Sequence, residues 1–364
     1  MPDRQLLRIF RFLLFIIVLL PVLTNECHGE SPAVTDKKLV ILNWSDYLDP
    51  EVLAEFTRKT GITVSEVYFE TDELRNEMLV TAGGKGFDLI LASGISIASY
   101  AGRGWLSPLT EEEIPNVRFV DKKWRDAFPA ASRFGVPYLW GTLGIAYRAD
   151  LLSEPVTSWM ALFQPTADLK GKVLMYKDSR DMMGMALKAL GHSANSTDPA
   201  ALDAAKTMLL AQKPFVRSYS FYALTEDADL VTGKAVISMM YNGDALTLKE
   251  FNPAIAFVVP NEGGNLWCDY FVLSTSSDKH ELAVQFLNFI HEPPVMARLA
   301  RFASFATTNT AAEKLLPADF LADPVIYPPP AILARSESYA PLPPRVMKRI
   351  NTIFNTVIRQ GRGH

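Results

Sequence analysis

Residues 39–68 read LVILNWSDYLDPEVLAEFTRKTGITVSEVY, and this one stretch predicts the architecture of the chain. The apolar, β-branched run at 39–42 is a strand. Asp49 and Pro50 then supply an N-cap and a first helical position, a helix runs through Lys59, and Gly61 closes it before a second strand at 63–68. Strand, helix and strand in about 30 residues form the unit from which parallel sheets are built. The pattern repeats along the chain. A helical segment at 71–81 carries Leu74, Met78 and Leu79 on one face, Gly83-Gly84 ends it, and the unbroken apolar run at 87–92 suits a strand buried on both faces. Further strands are predicted at 143–147, 173–176, 235–241 and 254–259, and further helices at 181–190, 199–212, 279–290, 295–302 and 344–359. At 364 residues the chain exceeds the roughly 250–300 at which single cores stop growing, so two lobes are expected.

The N-terminus has the form of an export signal over residues 1–29. Arg4, Arg8 and Arg11 precede the apolar FLLFIIVLLPVL at 12–23, which is shorter than the roughly 20 residues of a membrane helix, and Gly29 offers a cleavage point. The protein is therefore expected to be periplasmic. Cys27 follows the apolar run, but Asn25-Glu26 before it are not the small residues of a lipoprotein signal. Cys268 is then the one cysteine of the mature chain, so a large core rather than a disulfide must stabilise it. A formal charge of −4, with no Lys/Arg cluster interleaved with aromatics, argues against nucleic acid as a partner.

The polar residues with chemical interest sit where strands end. Trp44, Ser45, Asp46 and Tyr47 follow the first strand, at the sheet edge where open α/β folds hold ligands. An aromatic beside a carboxylate suits an organic cation, which gains from the ring face and from a charge-assisted hydrogen bond. Tyr241-Asn242-Gly243-Asp244 and Trp267-Cys268-Asp269 repeat the pairing. Strand alternation puts Trp267 and Asp269 on one face and Cys268 on the other, as a packing residue. Asp178 and Asp181 open a helix after the strand at 173–176; Asp178 reads equally as an N-cap, and so does Asp244. Catalytic patterns are poor. The five histidines have no metal-ligand spacing, and GxSxG, P-loop and GxGxxG motifs are absent, so neither an enzyme nor a cofactor is expected.

The chain from about residue 39 onward resembles the periplasmic spermidine/putrescine-binding proteins, members of the solute-binding proteins that serve ABC importers. The resemblance is carried in order by NWSDY at 43–47, EFTRKTGITV at 55–64, FDLI at 87–90, VPYLWGTLGIAYR at 136–148, TSW at 157–159, DSRD at 178–181, MMYNGDA at 239–245 and PNEGGNLWCD at 260–269. It implies a periplasmic binding protein type II-like fold: two α/β lobes with mixed, mostly parallel sheets and a ligand cleft between them. The lobes would be 38–142 plus 267–310 and 143–266 plus 311–364, with crossings near Gly141, Trp267 and Thr310. It also implies a polyamine ligand, held by Trp44, Ser45, Asp46, Tyr47 and Ser93 on one side and by Asp178, Asp181, Tyr241, Asp244, Trp267 and Asp269 around it. Phe305 stands where the family has a tyrosine, Tyr241 where it has a tryptophan, and Ile95 where spermidine-type members have a tyrosine. A family glutamine has no counterpart around 336–339. The implied partner is an inner-membrane ABC permease. A transmembrane signalling receptor is the alternative, because 67–79 and 136–148 also resemble the norspermidine-sensor branch.

Overall fold

The computed structural model describes residues 37–359. The export signal expected at 1–29, with Cys27, lies outside them. The first unit forms as its sequence predicts. Strand β1 (Lys38–Trp44) leads to helix Pro50–Thr60, whose N-cap Asp49 accepts a bond from the Glu51 N–H, and Gly61 ends the helix in the left-handed conformation. Strand β2 (Thr63–Phe69) pairs parallel to β1, and β3 (Leu89–Ser93) pairs parallel on its other side.

The remaining strands are β4 (Leu106–Ser107), β5 (Gly135–Arg148), β6 (Val173–Tyr176), β7 (Val216–Ser220), β8 (Ile237–Tyr241), β9 (Ile255–Val258), β10 (Leu266–Ser274) and β11 (Ala306–Thr307). The path runs β2-β1-β3-β10-β5-β8-β6-β7. Its flanks are parallel, β2-β1-β3 at one end and β8-β6-β7 at the other, whereas β10 and β5 join them through antiparallel pairs.

β5 is the organising element. The expected strand at 143–147 extends back to Gly135, giving 14 residues of which all but the two ends are buried. Its first part pairs with β10 and β11, and its second with β8 and β9. Pro137 and three glycines conceal this length in the sequence. The proline is tolerated beside an irregularity where β10 shifts register between Cys268 and Tyr270. Two hydrophobic cores meet along β5. One gathers Leu39, Phe56, Tyr138 and Phe271 with their neighbours; the other gathers Ile145, Trp159, Met185 and Ile350. Helix Pro344–Arg359 joins the second core through Val346, Ile350, Ile353 and Val357, which share one face at three- and four-residue spacing.

Three expectations change. Ala312, Leu316 and Ile326 pack into the first core, so the chain does not leave it near Thr310; it crosses later, where Glu337 pairs by its backbone with Gly264 and Leu266. The polar strand β7 and the glycine-led helix Gly94–Gly102 carry little apolar periodicity and were not expected. Asp244 is not an N-cap: Tyr241 takes that place and Asp244 falls in the first turn of helix Asn242–Phe251.

Gly141 marks where β5 passes from one core to the other. A Cβ there would strike the Trp267 indole and come within 2.5 Å of Asn242 Oδ1, the oxygen that accepts the Thr142 N–H. Gly141→Ala is expected to lower stability by about 1–3 kcal/mol, seen as a reduced denaturant midpoint. An unchanged midpoint would mean that Trp267 and Asn242 yield freely.

Candidate ligand-binding site

Strand ends and helix starts from both cores converge on a cavity of about 150 Å³. Ser93, at the end of β3, lines it from the first core. Asp178 and Asp181 line it from the start of helix Ser179–Ala189, and Tyr241 and Trp267 from the ends of β8 and β10. The volume lies below the roughly 300–1,000 Å³ of drug-sized pockets, so it suits a slender ligand.

The aspartates here make hydrogen bonds rather than close ion pairs, with Arg180 and Arg75 acting on Asp181 and Asp269 through their charge alone. Asp178 accepts the Arg180 and Asp181 N–H groups at 2.7 and 2.8 Å, which completes a cap. Asp181 accepts the Tyr241 hydroxyl at 2.8 Å and the Tyr339 hydroxyl at 2.9 Å. Burial, with the Asp178 charge adding to it, pushes Asp181 up to about 8 against those two hydrogen bonds. Burial likewise raises Asp178, and Glu73 and Asp72 from the first core add to the effect. Asp269 accepts the Tyr47 hydroxyl at 3.2 Å. Burial and then the Asp72 charge push it up to about 7, opposed by Arg75, Tyr47 and Trp44. Burial alone takes Asp244 to about 7. Among the described residues, no ion pair reaches Asp178, Asp181, Asp244 or Asp269 within 4 Å.

Aromatic rings join these groups. Trp267 meets Phe305 edge to face at 4.9 Å and Tyr241 at 6.5 Å; Tyr241 in turn meets Tyr176 at 5.3 Å. Phe305 also meets Tyr47 at 5.6 Å. Cys268 is buried in the first core but lines the cavity beside Trp267, whereas Asp269 does not, so the strict alternation expected here fails where β10 shifts register between Cys268 and Tyr270.

The structure thus gathers Ser93, Asp178, Asp181, Tyr241 and Trp267 in the lining, with Tyr47, Asp269 and Phe305 linked to them. Trp44 packs on Phe69 at 4.3 Å outside the lining, and Ser45 and Asp46 are exposed. Asp46 has a φ of 54°, a turn-forming conformation that an aspartate tolerates. Asp244 does not line the cavity either. Asp72, Arg180, Asn265 and Tyr339 do, and sequence reasoning missed them. Asp72 had a usable signal, since FETDE at 69–73 is a strand end followed by acids, like NWSDY. Tyr339 had none, because its loop has no regular pattern.

Comparison with known proteins places the chain. The family model described as "Bacterial extracellular solute-binding protein" matches residues 51–328. The chain is 29% identical over 304 residues to the spermidine/putrescine-binding periplasmic protein of Escherichia coli, covering 82% of this chain and 86% of that one. It is 27% identical over 358 residues to the putrescine-binding periplasmic protein SpuD of Pseudomonas aeruginosa, covering 93% and 96%. Among solved structures, the spermidine/putrescine ABC transporter substrate-binding protein PotD of Streptococcus pneumoniae superposes with a TM-score of 0.80 at 28% identity, covering 88% of this chain and 98% of that one. By these descriptions the two sequence relatives are periplasmic binding proteins and the solved structure is the substrate-binding protein of an ABC transporter.

The raised carboxylates set a pH dependence. From the ordinary aspartate value of 3.8 up to about 8 for Asp181, the folded form holds a proton that the unfolded chain has lost. The unfolded state then binds fewer protons, so the stability of the ligand-free protein falls as pH rises through that window. Thermal unfolding between about pH 5 and pH 8 is expected to show a declining Tm, and Asp181→Asn is expected to flatten the decline. A wild-type Tm that rises over this range would contradict the burial described.

Proposed function

The chain belongs to the bacterial extracellular solute-binding proteins, and we propose that within this family it is a periplasmic polyamine-binding protein that hands its ligand to an inner-membrane ABC permease. The observation that carries this reading is the set of buried carboxylates without ion-paired protein cations, walled by Trp267, Tyr241 and Phe305. Buried charges persist only when paired or hydrogen-bonded, and otherwise take up protons, as these do. Ammonium groups would replace those protons. The methylene segments between amines would lie on the aromatic faces, where removing apolar area from water contributes about 25 cal/mol per Å².

In this proposal the ligand contacts are Tyr47, Ser93, Asp178, Asp181, Tyr241, Trp267, Asp269 and Phe305. Trp44, Ser45, Asp46 and Asp244 join them when the ligand is bound. The two cores act as lobes, and ligand capture draws them together about β5 and the strand pairs beside Gly141. Support for this motion comes from the way β5 serves both cores, its first part pairing with β10 and β11 and its second with β8 and β9.

Calorimetric titration of the refolded mature protein with putrescine, cadaverine, spermidine, norspermidine and spermine tests the reading. Micromolar or tighter binding to at least one is expected, and silence across the panel would remove the polyamine assignment. Asp269→Asn is expected to weaken binding at least about tenfold, because the ligand loses its partner in a buried charge pair. Binding must also expel protons from Asp181 and Asp269, so affinity should rise from about pH 6 to about pH 8. Affinity that is independent of pH would place the ammonium groups elsewhere.

A further inference from the structure

We propose that Asp72 is a further ligand-contacting carboxylate, aimed at the cavity from the first core, and that Arg75 beneath it is its positioning residue. The proposal rests on the polyamine reading and adds a contact to it. Asp72 is the first residue of helix Asp72–Thr81, but the cap is already made by Thr71, whose hydroxyl accepts the Leu74 N–H. Asp72 is therefore free of that structural duty. Its side chain is 44% exposed and lines the same cavity as Asp178 and Asp181, which come from the other core.

Its aim is fixed from below. Arg75 is fully buried, and its Nη1 lies 2.8 Å from Asp72 Oδ1. The guanidinium is itself held: Nε donates to the Tyr100 hydroxyl at 3.0 Å, Nη2 donates to Ser96 Oγ at 3.2 Å, and the Phe69 ring lies 5.2 Å away. Ser93 Oγ donates to the other Asp72 oxygen at 3.2 Å. Each carboxylate oxygen has two acceptor sites, so one contact on each leaves capacity for an ammonium donor. A second observation marks the spot as a ligand surface. Asn265 is 4% exposed, lines this cavity, and its side-chain Oδ1 has no protein partner. A donor entering beside Asp72 would supply one, after a small rotation of the amide.

An ammonium between Asp72 and Asp178 would be gripped from both cores at once. With the cavity empty, the Asp72 charge adds to burial in disfavouring the ionised form of Asp178. Ligand then exchanges a repulsion for a bridge, and that exchange couples occupancy to closure.

The test is titration of the full mature protein with the tightest polyamine of the panel, comparing wild type, Asp72→Asn, Arg75→Gln, Arg75→Lys and Glu73→Gln. Glu73 is an exposed neighbouring acid outside the lining, so it reports the long-range field alone. Asp72→Asn is expected to lose at least tenfold in affinity, with a lower ligand-free Tm because the buried Arg75 loses its ion-pair partner, and Glu73→Gln less than threefold in affinity with the Tm unchanged. Arg75→Gln is expected to lose affinity, and Arg75→Lys to restore part of it. Equal small effects of Asp72→Asn and Glu73→Gln would overturn the contact while leaving the polyamine reading intact. A wild type that binds no polyamine would overturn both.

Discussion

Carboxylates buried without a matching protein cation are the constraint on which the rest of the site depends. Asp181 and Asp269 are taken out of water by the fold, yet tyrosine hydroxyls rather than lysine or arginine side chains bond to them. A fold selected only for stability would replace them with apolar residues of similar size. Their retention in the ligand-free protein amounts to stored electrostatic demand, which a small organic cation meets and a neutral sugar or an anion does not.

The aromatic residues make that demand selective. Trp267, Phe305, Tyr47 and Tyr241 touch edge to face in a chain that passes from one carboxylate to the next. Two of these rings also donate their hydroxyls to Asp269 and Asp181. In the proposed function each tyrosine would offer a ring to a methylene segment while its hydroxyl orients the carboxylate oxygen that would take the neighbouring ammonium. A bare inorganic cation could gain from a ring face but has no methylene surface to bury there, so in the proposed function the cage would favour charges joined by hydrocarbon.

Much of this was legible in the sequence wherever local chemistry decides structure. The N-caps Asp49 and Asp178, the αL glycine at 61 and the apolar runs of β1, β3, β6 and β8 set their own elements, and the acids and aromatics at strand ends predicted where polar groups would gather. Beyond the weakly patterned β7 and helix Gly94–Gly102, the failures come from distant pairing. The first half of β5 is a strand only because β10 and β11, more than 120 residues away, pair with it. Tyr339 reaches Asp181 across 158 residues of sequence, and the segment after Thr310 remains in the first core through contacts that no local pattern encodes.

The interleaving of the two cores also dictates when each can form. β3 is complete by residue 93 but pairs with β10, beginning at residue 266, and the second core lacks its closing helix until Pro344–Arg359 is available. Neither core is built from a continuous stretch of chain: the first draws on residues from Leu39 to Ile326 and the second on residues from Leu143 to Val357. Contacts of such high sequence separation are entropically slow to close. Both cores therefore wait on segments late in the described chain, and β3 stays without its β10 partner until those segments are in place.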